Sequence, residues 1–325
     1  MLVLVFRQHW NSVLTMNFRQ IRHFVAVYEE GSFSKAARRE NCAQPGLSTH
    51  IKQLEEELSN SLFDRSVHGV VPTFAGQEFY RHAVSILKSI KSAEHEMLEL
   101  GGEVSGFIKV GLIPSVVRGL LPPLLPKFVI DYPHIKISLA EAYSGTLTDW
   151  VLSGELDFAV VIDPPTHEGL EIETISREKM VLISGRALNL NPWEPVKIKK
   201  MPPLKLVAPS GRHGLRENLD RFIHSGKIEV AQIMEMDAMQ GSIEFIRNSD
   251  WATILPFTAV IYEAESKSLC FNPIIDPDFY SNFFLIYQIR HPLSAAARIF
   301  VDALNQEVRT VAKSWDTFIS KNSRS

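Results

Sequence analysis

The sequence predicts an α+β multidomain protein: an N-terminal winged helix-turn-helix, a long linker helix and a C-terminal two-lobed α/β domain. Three observations predict it. Two amphipathic helical patterns follow each other closely within residues 34–58, with a short ribbon pattern behind them. Residues 74–100 keep one narrow apolar stripe at heptad spacing. Beyond the glycine-rich "GGEVSG" (Gly101 to Gly106), short apolar runs alternate with helical patterns, as in α/β layers. At 325 residues the chain also exceeds what one hydrophobic core usually serves.

The first helix starts at Phe18 and places Ile21, Phe24, Val25 and Tyr28 on one face before Gly31 closes it. Ser32 and Ser34 offer N-caps for a short second helix, Ser34 to about Asn41, whose Ala36-Ala37 pair permits close packing. "QPGLSTHIKQLEEEL" carries Leu47, Ile51, Leu54 and Leu58 on one face. Its Pro-Gly is a beginning, because proline at the first helical position gives up an N–H that has no partner anyway. The turn then falls at Asn41 to Ala43. Leu62-Phe63 and a ribbon around His68-Gly69 make the wing, and Pro72-Thr73 lead into the long helix. There Phe79, Ala83, Ile86, Ile90, Ala93, Met97 and Leu100 recur at spacings of 4, 3, 4, 3, 4 and 3, a seam suited to a second copy of the helix.

In the C-terminal part, strands are expected at Phe107–Ile113, Ile135–Glu141, Phe158–Ile162, Met180–Ser184, Lys205–Val207, Glu229–Met234, Thr253–Leu255 and Phe283–Ile289. Helices are expected at Leu120–Tyr132, Leu147–Leu152, Leu215–Ile223, Gly241–Arg247 and Ser294–Val311. The domains are therefore 1–15 (an extension, or residues upstream of the true start), 16–73 (winged helix-turn-helix), 74–100 (linker), 101–106 (hinge), 107–313 and a tail, 314–325. Within 107–313, lobe one takes 107–180 and 280–313, and lobe two takes 181–279. A cleft between such lobes binds small molecules.

Composition narrows the function classes. Cys42 and Cys270 are far apart and match no metal-ligand spacing, so neither a disulfide framework nor a metal site is expected. No apolar run is long enough to span a bilayer, and "MLVLVF" is too short for a signal-peptide core, which points to the cytoplasm. Net charge is −3, so any attraction for DNA must come from local arrangement. Residues 16–73 hold seven basic and seven acidic side chains, but the acids cluster at Glu29-Glu30 and Glu55-Glu56-Glu57. Gln44 to Lys52 contains no acid, and it is the end of a recognition helix that meets base edges.

"FRQIRHFVAVYEEGSFSKAA", "QPGLSTHIKQLEEEL", "LFDR" and "PTFAG" resemble the LysR-type transcriptional regulators over roughly sixty contiguous residues, several anchors in order. "GFIKVGLIPS", "LLPPLLPKF", "YPHIKISLAEAYSG", "SGELDFAVV", "HGLREN" and "ATILP" extend the resemblance from Met16 through the effector-binding domain. Met16-Asn17-Phe18-Arg19 is similar to the usual start of the family. Among its branches the chain looks most like the nitrogen-assimilation-control regulators.

The resemblance implies a DNA-binding regulator with no cofactor. It implies lobes of periplasmic-binding-protein type, a homodimer or homotetramer through the linker seam, and partners in promoter DNA, RNA polymerase and a small-molecule inducer. Carried over by position, Gln44, Pro45, Ser48, Thr49 and Lys52 face the major groove, with Ser34 and His50 beside them. Arg65 and His68 in the wing lie near phosphates. Glu40, Ala43, Gly46 and Thr49-His50 depart from the family pattern. Losing a side-chain cap costs about 1 kcal/mol, so the first turn of the recognition helix should exchange its amide protons readily at Leu47 and Ser48. The salt dependence of DNA binding should be shallower than in more basic relatives.

Pro114-Ser115 follow the first strand of lobe one, and Ser144-Gly145-Thr146 follow the second. In an open α/β lobe, helix N-termini and small hydroxyls at these places meet an anion, and the resemblance puts inducer contacts there too. Pro209-Ser210 and Thr253 to Pro256 face them from lobe two, and together they favour a carboxylate-bearing effector. Two other readings compete. A solute-binding protein would use the same lobes, but the leading helix-turn-helix argues against it. An enzyme would need a motif, and no G-x-S-x-G, GxGxxG, P-loop or paired-histidine spacing occurs. "PSGRHG" reads as a polar loop.

Overall fold

The computed structural model describes residues 16–66, 69–99, 104–164, 166–211 and 213–322. The chain separates into two compact units that meet in sequence at Met97 and Leu98.

In the first unit, α1 (Phe18–Glu30) opens with a reciprocal cap. Asn17 Oδ1 accepts from the backbone N–H of Arg19 and Gln20, and Gln20 Oε1 accepts from Asn17 N at 2.7 Å. Gly31, at φ 58°, closes the helix in the left-handed conformation that glycine adopts without a steric penalty. Ser32, not Ser34, caps α2 (Phe33–Arg39), which starts one residue earlier than its pattern. Asn41 turns the chain at φ 51°, and α3 (Gln44–Leu58) begins with Ala43 as a cap that has no side-chain hydrogen bond. Leu47, Ile51 and Leu54 are fully buried beneath it. The ribbon β1 (Phe63–Ser66) and β2 (Gly69–Pro72) pair antiparallel.

The long helix α4 (Phe74–Glu99) starts against that ribbon. Gly76 is needed there, because a Cβ would sit 2.1 Å from the Leu62 carbonyl oxygen. Phe79 packs edge-on against Phe24 (ring centroids 4.9 Å apart), Tyr80 stacks on Tyr28 at 3.8 Å, and Ala83 is fully buried. Phe79 and Ala83, expected to open the dimerisation seam, thus belong to the core of their own unit. A helix lying on its own domain shows the same 3-4 spacing as one lying on a copy, so the pattern alone does not separate them. Ile86 (37% exposed) and the half-buried Ile90 lie beyond this contact. The side chains of Ala93, Met97 and Leu100 fall outside the described residues.

The second unit is a ten-stranded mixed sheet system in the order β4-β3-β5-β12-β6-β10-β8-β9, with β11 on β6 and β7 on β11. The strands are β3 (Gly106–Leu112), β4 (Ile135–Glu141), β5 (Phe158–Ile162), β6 (Leu170–Gly185), β7 (Val196–Lys197), β8 (Leu204–Ala208), β9 (Val230–Glu235), β10 (Ala252–Pro256), β11 (Leu269–Asp276) and β12 (Tyr280–Gln288). Its helices are α5 (Pro114–Asp131), α6 (Ser144–Leu152), α7 (Gly214–His224), α8 (Met239–Arg247) and α9 (Ala295–Asn322). β6 belongs to both lobes: Leu170–Lys179 pairs with β12, and Met180–Ser184 with β10. The chain changes lobe along this strand and again between β11 and β12.

Three expectations need correction. Alternating strands and helices argue a parallel sheet, but this one is mixed, since β12 runs antiparallel to β5 and β6. α5 starts at Pro114 rather than Leu120, because a proline in the first turn forfeits nothing. Buried Val116, Leu120, Leu124 and Phe128 hold the helix past Pro122, Pro123 and Pro126. The tail expected after residue 313 is helical to Asn322. There Trp315 and Phe318 pack on Trp193 and Phe257 of lobe two, with ring centroids 5.1–6.4 Å apart. Upstream, Phe300 of the same helix sits on Phe128 and Phe158 of lobe one, so α9 ties both lobes together.

Candidate functional site

In the first unit, Gln44, Pro45, Thr49 and Lys52 are exposed on α3, and Ser48 is partly so. The exposed Ser34 donates to Gln44 Oε1 at 2.8 Å, which supplies the start of α3 with a side-chain partner that Ala43 lacks. Thr49 spends its hydroxyl proton on the Pro45 carbonyl, 2.9 Å away. His50 turns inward: its Nδ1 is 2.9 Å from His23 Nδ1, with the rings stacked at 4.8 Å. It therefore bridges α1 and α3 and is not a free groove-facing group. The Arg65 side chain and His68 lie outside the described residues.

Arg22 and Arg39 are occupied by acids of their own unit, each 2.5 Å from its nearer partner (Glu40 and Glu29). Arg19, Lys35 and Arg38 make no carboxylate pair among the described residues. Fewer cations are thus free for phosphate than the sequence count allows, which favours a shallow salt slope.

The histidine pair gives the first unit a pH dependence. Burial above all, then neighbouring His50, holds the His23 pKa below 6.5, with Arg22 and Arg19 adding to the depression and Glu40 opposing it. The unfolded chain takes up that proton more readily, so this contribution to stability is complete above pH 6.5 and shrinks as pH falls towards the lowered native value. The first unit should melt at a lower temperature at pH 5.5 than at 7.5, and His23→Gln should flatten that difference. An equal drop in both proteins would remove His23 as its cause.

In the second unit, a partly open cleft lies between the lobes, with about 60 Å³ of room for the centres of water-sized spheres. Clefts between α/β lobes are where such folds take small ligands. Pro114, Ser115, Ser144, Pro209, Thr253 and Pro256 line it, as the sequence led us to expect. Gly145, Thr146 and Ser210 do not. Gly145 and Thr146 lie on the exposed side of the first turn of α6, and Ser210 instead binds Asp237 through its N–H at 2.8 Å and its hydroxyl at 3.0 Å. The sequence reading missed Tyr143, His213, Met236, Asp237, Met239 and Ser242.

Four helices begin at this cleft, and each lacks a side-chain cap: α5 after Ile113, α6 after Tyr143, α7 after His213 and α8 after Ala238. Unsatisfied N–H groups and the positive ends of helix dipoles therefore converge on it. Ser144 accepts from Ile162 N at 3.1 Å and keeps its own proton to donate, whereas Thr253 gives its proton to the Val207 carbonyl.

Tyr143 of lobe one reaches across, donating to the Asp237 carbonyl oxygen and packing its ring on His213 (centroids 3.5 Å apart). Arg118 on α5 likewise bonds Gln240 on α8 and Glu263. The Ser210 N–H, with its hydroxyl and His213 adding to it, holds the Asp237 carboxyl below its ordinary range, while burial lowers the His213 pKa and favours its neutral form. His213 Nε2 stands 3.2 Å from Asp237 Oδ1, off the line of a hydrogen bond. Although a Ser, a His and an Asp meet here, the serine donates to the carboxylate and not to the imidazole. The histidine is therefore not set to take the serine's proton.

Residues 18–77 match the family described as "Bacterial regulatory helix-turn-helix protein, lysR family", and residues 101–309 match "LysR substrate binding domain". The nitrogen assimilation regulatory protein nac of Escherichia coli is 27% identical over 256 residues, 78% of this chain and 81% of that protein. The regulator AlsR of Bacillus subtilis is 30% identical over 247 residues, 75% and 82%. Full-length OxyR of Pseudomonas aeruginosa superposes with a TM-score of 0.68 at 20% identity, over 89% of this chain and 98% of that one. CbnR, solved with its target DNA, gives a TM-score of 0.60 at 22% identity, over 90% and 100%. Among the described residues, no helix is long and apolar enough to cross a membrane.

Proposed function

The chain belongs to the LysR family of DNA-binding transcriptional regulators, and we propose that its hold on promoter DNA is set by a small organic anion in the cleft between its C-terminal lobes. The observation that carries this reading is the convergence of four uncapped helix N-termini on a cleft otherwise lined mainly by apolar side chains. Promoter DNA meets the exposed face of α3, with Gln44, Ser48, Thr49 and Lys52 as its readers. CbnR, captured with its target DNA, supports DNA as the partner. With DNA as its partner, the protein works in the cytoplasm, beside RNA polymerase. Two copies associate through the part of α4 beyond Ala83, and pairs of dimers make a tetramer.

The effector acts by changing lobe closure. Tyr143 and Arg118 already tie the lobes across the cleft, so a ligand that favours one setting over the other shifts the balance between two quaternary states. The reading includes no catalysis and no resident cofactor.

Ser115, buried at the start of α5, tests it. Ser115→Trp fills the cleft and alters no residue of the first unit, so the variant should protect the operator as the wild type does while a reporter on the regulated promoter no longer responds to inducing conditions. Loss of operator protection together with the response would contradict this division of labour.

A further inference from the structure

The cleft holds groups of both signs. The first-turn N–H groups of α5 and α6 line it, beside Ser115 and Ser144. So does the Asp237 carboxylate, which is 44% exposed and lies just before α8. No lysine or arginine is among the described residues lining the cleft. An ionised carboxylate offers about four acceptor sites; Ser210 occupies two and His213 Nε2 stands 3.2 Å from Oδ1, which leaves room on the exposed side for a further donor. A simple carboxylic acid would bring a second negative charge next to Asp237, with no lysine or arginine among the described lining residues to offset it. A molecule with its own cationic group would not.

On this basis we propose that the effector is a zwitterion, an amino acid with an apolar side chain, whose carboxylate takes the N-termini of α5 and α6 and whose ammonium donates to Asp237. This rests on the reading of the cleft as an anion-binding effector site and narrows its ligand class. The apolar walls, Ile113, Ile162, Leu215, Met236, Met239 and Leu255, are suited to the side chain. Ser210 fixes the carboxylate through its backbone N–H and its hydroxyl, so the acceptor is set before a ligand arrives. The same pair of bonds pushes the Asp237 pKa below its ordinary value.

The test compares three kinds of probe on the full-length protein by calorimetry and thermal shift. These are the amino acids leucine, methionine and phenylalanine, their deaminated acids and their decarboxylated amines. At least one amino acid should bind about tenfold or more tighter than its deaminated acid, the expected return from a charge-assisted hydrogen bond. Asp237→Asn should erase that preference while the deaminated acid still binds, and Asp237→Ala should do the same if the asparagine variant melts early. Equal binding of amino acid and deaminated acid overturns the proposal and leaves the anion site standing. Equal binding of amino acid and amine overturns the anion site itself. If no probe of any kind binds, both fall. A preference for the amino acid that survives both substitutions removes Asp237 from the proposal and so overturns it.

Discussion

Phe24→Ala is expected to unfold the DNA-binding unit while the C-terminal unit melts as before. Phe24 is fully buried at the centre of a small core, with the rings of Tyr28, Phe63 and Phe79 4.9–6.2 Å from its own. Removing such a ring costs about 3–5 kcal/mol, a large part of the roughly 5–15 kcal/mol that stabilises a typical domain. Phe79 on α4 loses its edge-to-face partner at the same time, so the wing and the long helix come loose together. Circular dichroism melting should show the first transition lost or shifted far down and the second unmoved, and operator binding should vanish. A variant that melts and binds as the wild type does would show that this core does not hold the unit.

Gly119→Ala should be as damaging on the other side. A Cβ at Gly119 would lie 2.0 Å from the Thr258 carbonyl oxygen and 2.9 Å from its carbon, and both are backbone atoms that cannot swing aside. α5 must therefore back away from the 3-10 turn Phe257–Glu263, carrying Pro114 and Ser115 away from Pro256 across the cleft. Overpacking of this kind costs roughly 1–3 kcal/mol and more where backbone must move. The expected result is a lower second melting transition and loss of effector response with operator binding retained. An unchanged second transition would mean that the contact yields easily.

How much of this was legible in the sequence varies from element to element. The start of α3 was, because Pro45 in a first turn and the leucines behind it point the same way. β11 was not, since Asn272 and Pro273 interrupt "LCFNPIID" and strand statistics discount both. Pro273 is tolerated there as the last residue paired with β6. The last turns of α9 were also missed, although Val308, Val311, Trp315 and Phe318 keep the spacing. The polar residues among them drown a signal whose partner, Trp193, is more than a hundred residues away.

The cleft was half legible. Ser115 and Ser144 stand where a strand hands over to a helix, a position that local pattern marks. Asp237 and His213 sit in loops of lobe two and acquire a role only when folding brings Tyr143 of lobe one against them. "PSGRHG" held one signal, since it places His213 just before a helix, but no spacing rule ties it to Asp237. His50 shows the opposite error: its place on the recognition helix pointed to DNA, and its true neighbour, His23, lies on another helix.

The central claim is that α3 holds promoter DNA and that occupancy of the cleft controls the hold. The most direct measurement is retardation, at increasing salt, of a DNA fragment from upstream of the chain's own gene, by the wild type and by Lys52→Glu. The account predicts retardation by the wild type at low salt, weakening along a shallow log-log slope, and none by the variant, whose acid would meet the groove in place of the exposed lysine. Failure of the wild type to retard the fragment at low salt, or equal retardation by Lys52→Glu, would contradict it.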